Sequence, residues 1–329
     1  VGGGSFTQPL FSDAQANGSG YLRLTGFTAT GSPITTTVPG NAGRNATTPA
    51  APPYTKFTDP INNLGVPGIR MSDIETVGYG STSGNPYFER LSNNPAQTYR
   101  ARVAASAPTF FTFWLGNNDV LGYATAGGGA NSITPTATFT TLANNILDDL
   151  TANGAKGVVV TIPDVTNIPF FTTVGPTFKA TLAAATVPGL VIMTGSALGG
   201  PTSGNRKQIT TASIRDAGST SGNLFTLTSS PFLPLFGQRT GRPWRFIFAQ
   251  SGQPAAAFPL FLLANGIDTT QVFGGDPRNP IPSAFVLDTD EQALVQTATT
   301  DFNNVLKNKA NAKGLGVFDS NAFFAGVAQ

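Results

Sequence analysis

The stretch Thr109-Phe-Phe-Thr-Phe-Trp-Leu115, followed directly by Gly116-Asn-Asn-Asp119, decides the fold of this chain. A near-continuous apolar run of this length, bounded by a glycine, is typical of a parallel β-strand that is buried on both faces. The polar tetrapeptide comes where such a strand would end and a helix would begin. The pattern therefore predicts a strand over residues 109–115, with Asn118 and Asp119 at its carboxyl end.

Helices and strands alternate on either side of this run. Downstream, Gly154 is expected to end a helix, whose six apolar residues recur at helical spacing: Phe139, Leu142, Ala143, Ile146, Leu147 and Leu150. A strand over residues 157–162 follows. Upstream, residues 61–66 have the form of a short strand, and helical stretches follow near 71–77 and 86–92. This rhythm predicts an α/β fold with a doubly wound parallel sheet.

A long helix and a last strand are predicted near the carboxyl end. Asp288 and Glu291 have the spacing of a capping box, which begins a helix. Its apolar stripe is expected to comprise Leu294, Ala298, Phe302, Val305 and Leu306. Residues 315–318 then have the form of a strand.

The remaining segments are irregular and rich in glycine and proline. Residues 1–60, which include the run from Gly40 to Pro53, are interpreted as a long excursion, part hairpin and part loop. Residues 175–282 are interpreted as an insertion rather than an independent domain. We therefore predict a single α/β domain over residues 1–329, a length that two domains would also fit.

Composition limits the chemistry that this chain can perform alone. It contains no histidine and no cysteine, so it cannot by itself assemble a Ser-His-Asp or Cys-His catalytic group. No dense cluster of carboxylates indicates a metal site, and no cofactor is predicted. The net charge is only +2 and no basic cluster is interleaved with aromatics, which argues against nucleic acid as a partner.

Composition also bears on location. The longest apolar run, Ala255 to Ala264, is interrupted by Pro259 and is too short for a transmembrane segment. Charged residues make up 11% of the chain, and Thr, Asn, Ser, Gln and Gly supply its polarity. This composition favours a secreted or outer-surface bacterial protein. The sequence does not indicate an oligomeric state.

Two strand-end segments carry candidate site residues. In an open α/β sheet, ligands bind at the carboxyl ends of the strands, where the Asn118 amide could donate to an oxyanion. Gly68, at the end of Asn63-Leu-Gly-Val-Pro-Gly68, could present a backbone N–H without obstruction from a side chain. The alternatives are that Asn118 and Asp119 only cap the next helix and that Pro67-Gly68 is an ordinary turn.

These two segments resemble two sequence blocks of the SGNH (GDSL-type) hydrolases. Asn63-Leu-Gly-Val-Pro-Gly68 is similar to the second block, and Gly116-Asn-Asn-Asp119 matches the Gly-x-Asn-Asp of the third. The resemblance extends over about residues 1–174 and 265–325 and is strongest from 61 to 171. A secreted, lipase-like branch found in Bacteroidetes shares similar surroundings: Asn85-Pro-Tyr-Phe88, Phe111 to Tyr123, Ile162 to Phe171 and Val286-Leu-Asp-x-x-Glu291.

The resemblance implies a flavodoxin-like sheet and hydrolysis of small-molecule or lipid esters. In the family, a serine of the first block attacks the ester and a histidine of the last block, Asp-x-x-His, is the base. Gly68 and Asn118 would be two oxyanion donors, with Asn63, Gly116 and Asp119 completing the motifs. One donor contributes roughly 10²–10³ in rate.

The first and last blocks of that family are missing from this chain. No Gly-Asp-Ser or Gly-Asn-Ser precedes Gly68, and no Asp-x-x-His is present. We therefore expect a fragment of a serine esterase or lipase whose longer protein extends in both directions, the first strand and last helix lying outside residues 1–329. The alternative is a non-catalytic, secreted binding or surface protein on the same fold. An assembly or adhesion protein is disfavoured by the α/β spacing.

Several other polar residues could be mistaken for catalytic groups. Val317-Phe-Asp-Ser320 superficially resembles a nucleophile block, but it lacks the glycine and stands at the final strand. Asp73, Glu75 and Asp164 are interpreted as surface or capping carboxylates.

The family's strand order carries a structural expectation. In the flavodoxin order 2-1-3-4-5, the missing first strand would lie between residues 61–66 and 109–115. We expect either an open slot there or another segment that fills it. If the slot stays open, Gly68 N–H and the Asn118 amide should converge at the carboxyl edge of the strands.

Overall fold

The computed structural model describes six stretches of the chain, which are residues 6–11, 20–27, 33–40, 54–57, 60–195 and 204–327. The strands of these stretches are β1 Gly20–Phe27, β2 Pro33–Pro39, β3 Phe110–Phe113, β4 Lys156–Val160, β5 Gly189–Met193, β6 Arg206–Thr210, β7 Leu224–Phe225, β8 Val286–Leu287 and β9 Gly316–Phe318. The helices are α1 Pro86–Leu91, α2 Tyr99–Ala104, α3 Asn117–Thr125, α4 Thr136–Thr151, α5 Pro169–Thr172, α6 Gly175–Ala184, α7 Arg242–Ala249, α8 Phe258–Ala264, α9 Thr289–Ala312 and α10 Ser320–Val327.

A parallel sheet of three strands lies at the centre of this mixed α/β fold, in the order β3-β4-β9. Phe113 of β3 is level with Val159 of β4, which is level with Val317 of β9. The strands predicted at 109–115, 157–162 and 315–318 are therefore confirmed as elements. The α/β class is confirmed with them.

The prediction that β3 is buried on both faces is wrong. Phe111 and Phe113 are buried, but Phe110 is 61% exposed and Trp114, just beyond the strand, is 54% exposed. The buried residues join a core cluster with residues of α4 and α9. An apolar run does not reveal this difference, because its outward residues are covered only if another element packs on them.

Helices α4 and α9 form the covered side of the core. All six positions predicted for α4 are buried, and the rings of Phe139 and Phe302 stack at 3.9 Å. The capping box of Asp288 and Glu291 is also present at the start of α9. The predicted stripe of α9 is wrong at Leu294, which is 56% exposed. Val295 is buried instead, on the helix face that it shares with Ala298 and Phe302, which are buried as predicted.

The strand predicted at 61–66 is not formed. This segment has no regular secondary structure. Asn62 and Thr7 hold each other by two hydrogen bonds, and the Tyr99 hydroxyl donates to the Leu64 carbonyl at 3.0 Å. A strand needs a neighbour along its length, and within the described residues β3 pairs only with β4.

The helix predicted near 71–77 is reduced to a single 3₁₀ turn, Met71–Asp73, followed by irregular turns. The helix predicted at 86–92 is confirmed as α1, which Asn85 caps by accepting from Tyr87 N–H and Phe88 N–H.

The flanking segments agree in part with their predictions. Strands β1 and β2 form an antiparallel hairpin within the first 60 residues, whereas residues 41–53 lie outside the described chain. The described residues of 175–282 pack around two further apolar clusters, and whether 175–282 is an insertion stays a prediction. Helix α10 follows β9 directly, where a last helix was expected to be absent. No helix of the described ranges has the length and apolar character needed to span a bilayer.

Candidate functional site

Gly116 makes the sharp turn from β3 into α3. Its φ of 116° lies in the region that favours glycine. A Cβ here would come within 2.7 Å of Ile162 Cδ1 and 2.9 Å of the Phe139 ring. The turn places Asn117, Asn118 and Asp119 in the first turn of α3, at the carboxyl end of β3.

Asp119 ties this turn to the loop that follows Gly68. Its buried carboxylate accepts from Met71 N–H at 2.6 Å, from Ser72 N–H at 3.3 Å and from the Thr134 hydroxyl at 2.6 Å. Burial raises the pKa of Asp119, and these hydrogen bonds oppose the rise. Because its bonds leave its own helix, Asp119 is not merely a helix cap.

Asn118 brings the two sequence blocks into direct contact. Its Nδ2 donates to the carbonyl of Ile69, the residue after Gly68, at 2.8 Å. The side chain is half-buried. An amide nitrogen carries two hydrogens, so this bond leaves a second one to donate. As with Asp119, no capping bond of α3 uses the Asn118 side chain.

Gly68 lies on the exposed side of its turn. Its φ is +78°, and nothing lies within 4 Å of where a Cβ would be. Within the described chain its N–H has no hydrogen-bond partner. Asn63 shapes the approach to this turn, because its Oδ1 accepts from Gly65 N–H at 2.9 Å.

A groove of about 780 Å³ separates residues 61–66 from β3. Its walls are these two segments, and one end is formed by Gly116, Asn117 and Asn118. β3 is an edge strand on this side, since the sheet order of the described residues begins with it. A groove therefore lies where the open slot was expected, but only β3 borders it as a strand. That a missing strand belongs in it stays a prediction. Gly68 is not among the residues that line it.

Asn117 was missed by the sequence analysis. It lines the groove, and its Oδ1 is a buried acceptor without a hydrogen-bond partner in the described structure. It occupies the variable position of Gly-x-Asn-Asp, so the motif gave no reason to select it. Because this oxygen is hidden from solvent, a ligand in the groove would reach it only if the Asn117 side chain turned.

Among the residues that the structure describes, the groove has no general base that would act near neutral pH. Tyr99 is the one titratable side chain among the described lining residues. Burial raises its pKa to about 12. Its hydroxyl also donates to the Leu64 carbonyl. The described walls can therefore donate and accept hydrogen bonds but cannot take up a proton from a nucleophile.

Ser320 does not present a nucleophile. It is fully buried, and its hydroxyl donates to the Thr161 carbonyl. The neighbouring Asp319 pairs with Lys307 at 2.6 Å. The hydrogen bond fastens the start of α10 to the end of β4, and the ion pair fastens it to α9.

The other carboxylates singled out have local roles. Asp73 accepts from Arg70 N–H at 3.0 Å, Glu75 pairs with Arg100 at 2.6 Å, and Asp164 accepts from Thr166 N–H at 2.9 Å. In the part of the chain that the structure describes, no three acidic side chains are grouped as metal ligands would be.

Comparison with known proteins gives no relative for this chain. Neither a protein-family model, nor a curated protein, nor a solved structure matches it.

Proposed function

We propose that this chain supplies the oxyanion-binding side of a serine ester hydrolase of the SGNH type. The observation that carries the proposal is the hydrogen bond from Asn118 Nδ2 to the Ile69 carbonyl at 2.8 Å. It joins the two segments that resemble the family's second and third blocks, at one end of an open groove. An acyl ester, of a lipid or a small molecule, is the proposed substrate.

The two donors would act when the ester carbonyl becomes a tetrahedral oxyanion. The second hydrogen of Asn118 Nδ2 would serve it at the end of the groove. The N–H of Gly68, which has no partner within the described residues, lies outside the groove and would serve only if the completed site extends to it. Donors held in place before the reaction stabilise the developing charge without reorganisation, which is why one of them contributes roughly 10²–10³ in rate. Asp119 would position this pair, because it anchors the loop beside Gly68 to α3.

The nucleophile and the base would come from polypeptide outside residues 1–329. The chain has no histidine, and the described groove has no base near neutral pH. An extended strand parallel to β3 would fit the groove and would end beside Asn117 and Asn118. A serine at that end would meet the ester carbonyl next to the donors.

A non-catalytic binding or surface protein on the same fold is the second candidate. Asn118 already uses one amide hydrogen on Ile69, and Asp119 uses its carboxylate on Met71, Ser72 and Thr134. These bonds would hold the loop equally well in a protein without catalysis. The unpaired Oδ1 of Asn117 would then serve a bound ligand.

Ester hydrolysis by the longer protein separates the two candidates. We expect Asn118→Ala to lower kcat roughly 10²–10³-fold with little change in KM, because the donor acts on the transition state. The matched control is Asn145→Ala, an amide that pairs with Glu75 away from the groove. Residues 1–329 alone should not hydrolyse activated esters. An unchanged kcat for Asn118→Ala, or turnover by the chain alone, contradicts the proposal.

A further inference from the structure

Helices α7 and α8 form a hairpin with a firmly packed inner side. Trp244, Phe248 and Phe258 are buried in an apolar cluster with Met193 and Ile267. Trp244 Nε1 also donates to Asn279 Oδ1 at 2.9 Å. The inner side is thus fixed to the body of the protein.

The outer side of this hairpin is apolar. Leu260 is 69% exposed and Leu263 is 78% exposed. They are three residues apart on α8, so they point the same way. Neighbouring Ala255, Ala256 and Pro259 are exposed as well. Exposed apolar side chains grouped on one helix face mark an interaction surface more often than scattered single residues do.

The same hairpin carries only positive charge. Arg239, Arg242 and Arg245 are exposed, and no Asp or Glu occurs between residues 217 and 267. Arg245 is exposed and links α7 to α8, its guanidinium 4.6 Å from the centre of the Phe258 ring at the start of α8. Among the ion pairs of the described residues, none includes these three arginines.

The next acidic residues along the chain do not neutralise the hairpin. Asp276 pairs with Arg278 at 2.9 Å. Asp268 accepts from the Thr270 hydroxyl at 2.6 Å and from Gln271 at 2.8 Å. A second copy of the chain would bring the same arginines together, so like charges disfavour self-association through this patch.

We propose that the α7–α8 hairpin docks on an anionic lipid surface. Leu260 and Leu263 enter the boundary between headgroups and acyl chains, and Arg242 and Arg245 contact the lipid phosphates. Apolar side chains beside exposed arginines are the features of interfacial helices. This docking does not depend on catalysis by the protein. The further step, that a lipid of this membrane is the ester substrate, rests on the proposed function.

The test is flotation of the 329-residue chain with vesicles of phosphatidylcholine, alone or mixed with phosphatidylglycerol. We expect binding to the mixed vesicles that weakens with added salt. Leu260→Ser/Leu263→Ser and Arg242→Gln/Arg245→Gln should each weaken it roughly tenfold or more. Leu294→Ser is the matched control, since Leu294 is 56% exposed on α9, and it should bind like the unchanged chain. Circular dichroism verifies that each variant is folded.

Three results would overturn the docking proposal. They are no binding to mixed vesicles, equal binding by the leucine variant, and self-association through the patch in place of vesicle binding. The proposed function is tested separately, by measuring hydrolysis of a soluble ester by the longer protein and by its Asn118→Ala variant. It fails if the two have the same kcat. Docking with no such hydrolysis would leave a lipid-binding protein.

Discussion

Asp119 and Asn118 are adjacent in sequence but have different surroundings. Asp119 is 1% exposed and accepts three hydrogen bonds, two from the 70–72 loop and one from the Thr134 hydroxyl. Asn118 is half-buried, faces the groove and keeps one hydrogen to donate. The aspartate of Gly-x-Asn-Asp thus holds the neighbouring loop, and the asparagine keeps one amide hydrogen that it can donate.

Replacing Asp119 should destabilise the fold. In Asp119→Ala, the N–H of Met71 and the hydroxyl of Thr134 lose their acceptor in a buried place, and each unpaired group costs about 1–3 kcal/mol. Urea denaturation should show a loss of about 3 kcal/mol in the free energy of unfolding. Asp216→Ala is the control, since the Asp216 side chain is 67% exposed and pairs only with Lys179. Equal losses in both variants would refute the positioning role.

Individual residues of the candidate site could be predicted only where a sequence motif marked their positions. Gly68, Gly116, Asn118 and Asp119 stood at predicted strand ends within two recognisable blocks. Asn117 stood in a variable position, so its buried and unpaired Oδ1 had no sequence signal. Which hydrogen bonds Asp119 makes could not be predicted either, since its partners are 15 to 48 residues away along the chain.

Elements with local signals were predicted well. Helix α4 has a complete apolar face, and α9 has a capping box, both of which depend on neighbours within one turn. The segment 61–66 had the form of a short strand, but a strand also requires a partner, and the described residues supply none. The exposed outer face of β3 was missed for the same reason. Whether a strand face is buried depends on elements that are distant in the sequence.

The contact between α4 and α9 should respond to acid. Asp148 of α4 pairs with Lys309 at 2.8 Å and Lys313 at 2.5 Å, at the end of α9. The hydrogen bond from Lys309, followed by that from Lys313, lowers the pKa of Asp148. Because the pKa of Asp148 is lower in the folded state, its ionised form stabilises the fold at pH values above the ordinary pKa of about 3.9. This stabilisation is lost as the pH falls through the folded-state pKa.

Asp148→Asn should therefore lower Tm slightly at neutral pH and leave it unchanged at a pH of about 2. The effect should be small, because exposed ion pairs contribute little. Thermal unfolding across this pH range is the measurement. The control is the same substitution in a Lys309→Gln/Lys313→Gln background, where the neutral-pH difference should vanish. A Tm difference that persists in acid, or in that background, would contradict the ion-pair explanation.

At the scale of the whole molecule, the central sheet is covered on one side only. Parallel sheets are found almost always with both faces covered, because their strands carry apolar residues on each face. Here Phe110, Trp114 and Phe318 remain 61%, 54% and 46% exposed on one face. The groove runs beside the same open edge strand. Both features are explained together if further polypeptide of the longer protein completes the sheet.

The two tryptophans of the chain allow this completion to be measured. Trp114 is 54% exposed at the groove, whereas Trp244 is fully buried in the α7–α8 cluster. In residues 1–329 carrying Trp244→Phe, acrylamide should quench the fluorescence of Trp114 strongly. The longer protein with the same substitution should be protected from quenching and emit at shorter wavelength, because a strand in the groove and cover on the open face would exclude water.

The matched variant is Trp114→Phe, which reports Trp244 and should resist quenching in both lengths of chain. Further tryptophans of the longer protein would be replaced by phenylalanine before the comparison. Equal quenching of Trp114 in the two lengths would mean that the groove and the open face stay uncovered. The proposed nucleophile strand would then have no place beside Asn118, and a non-catalytic protein that binds its ligand in the open groove would become the better explanation.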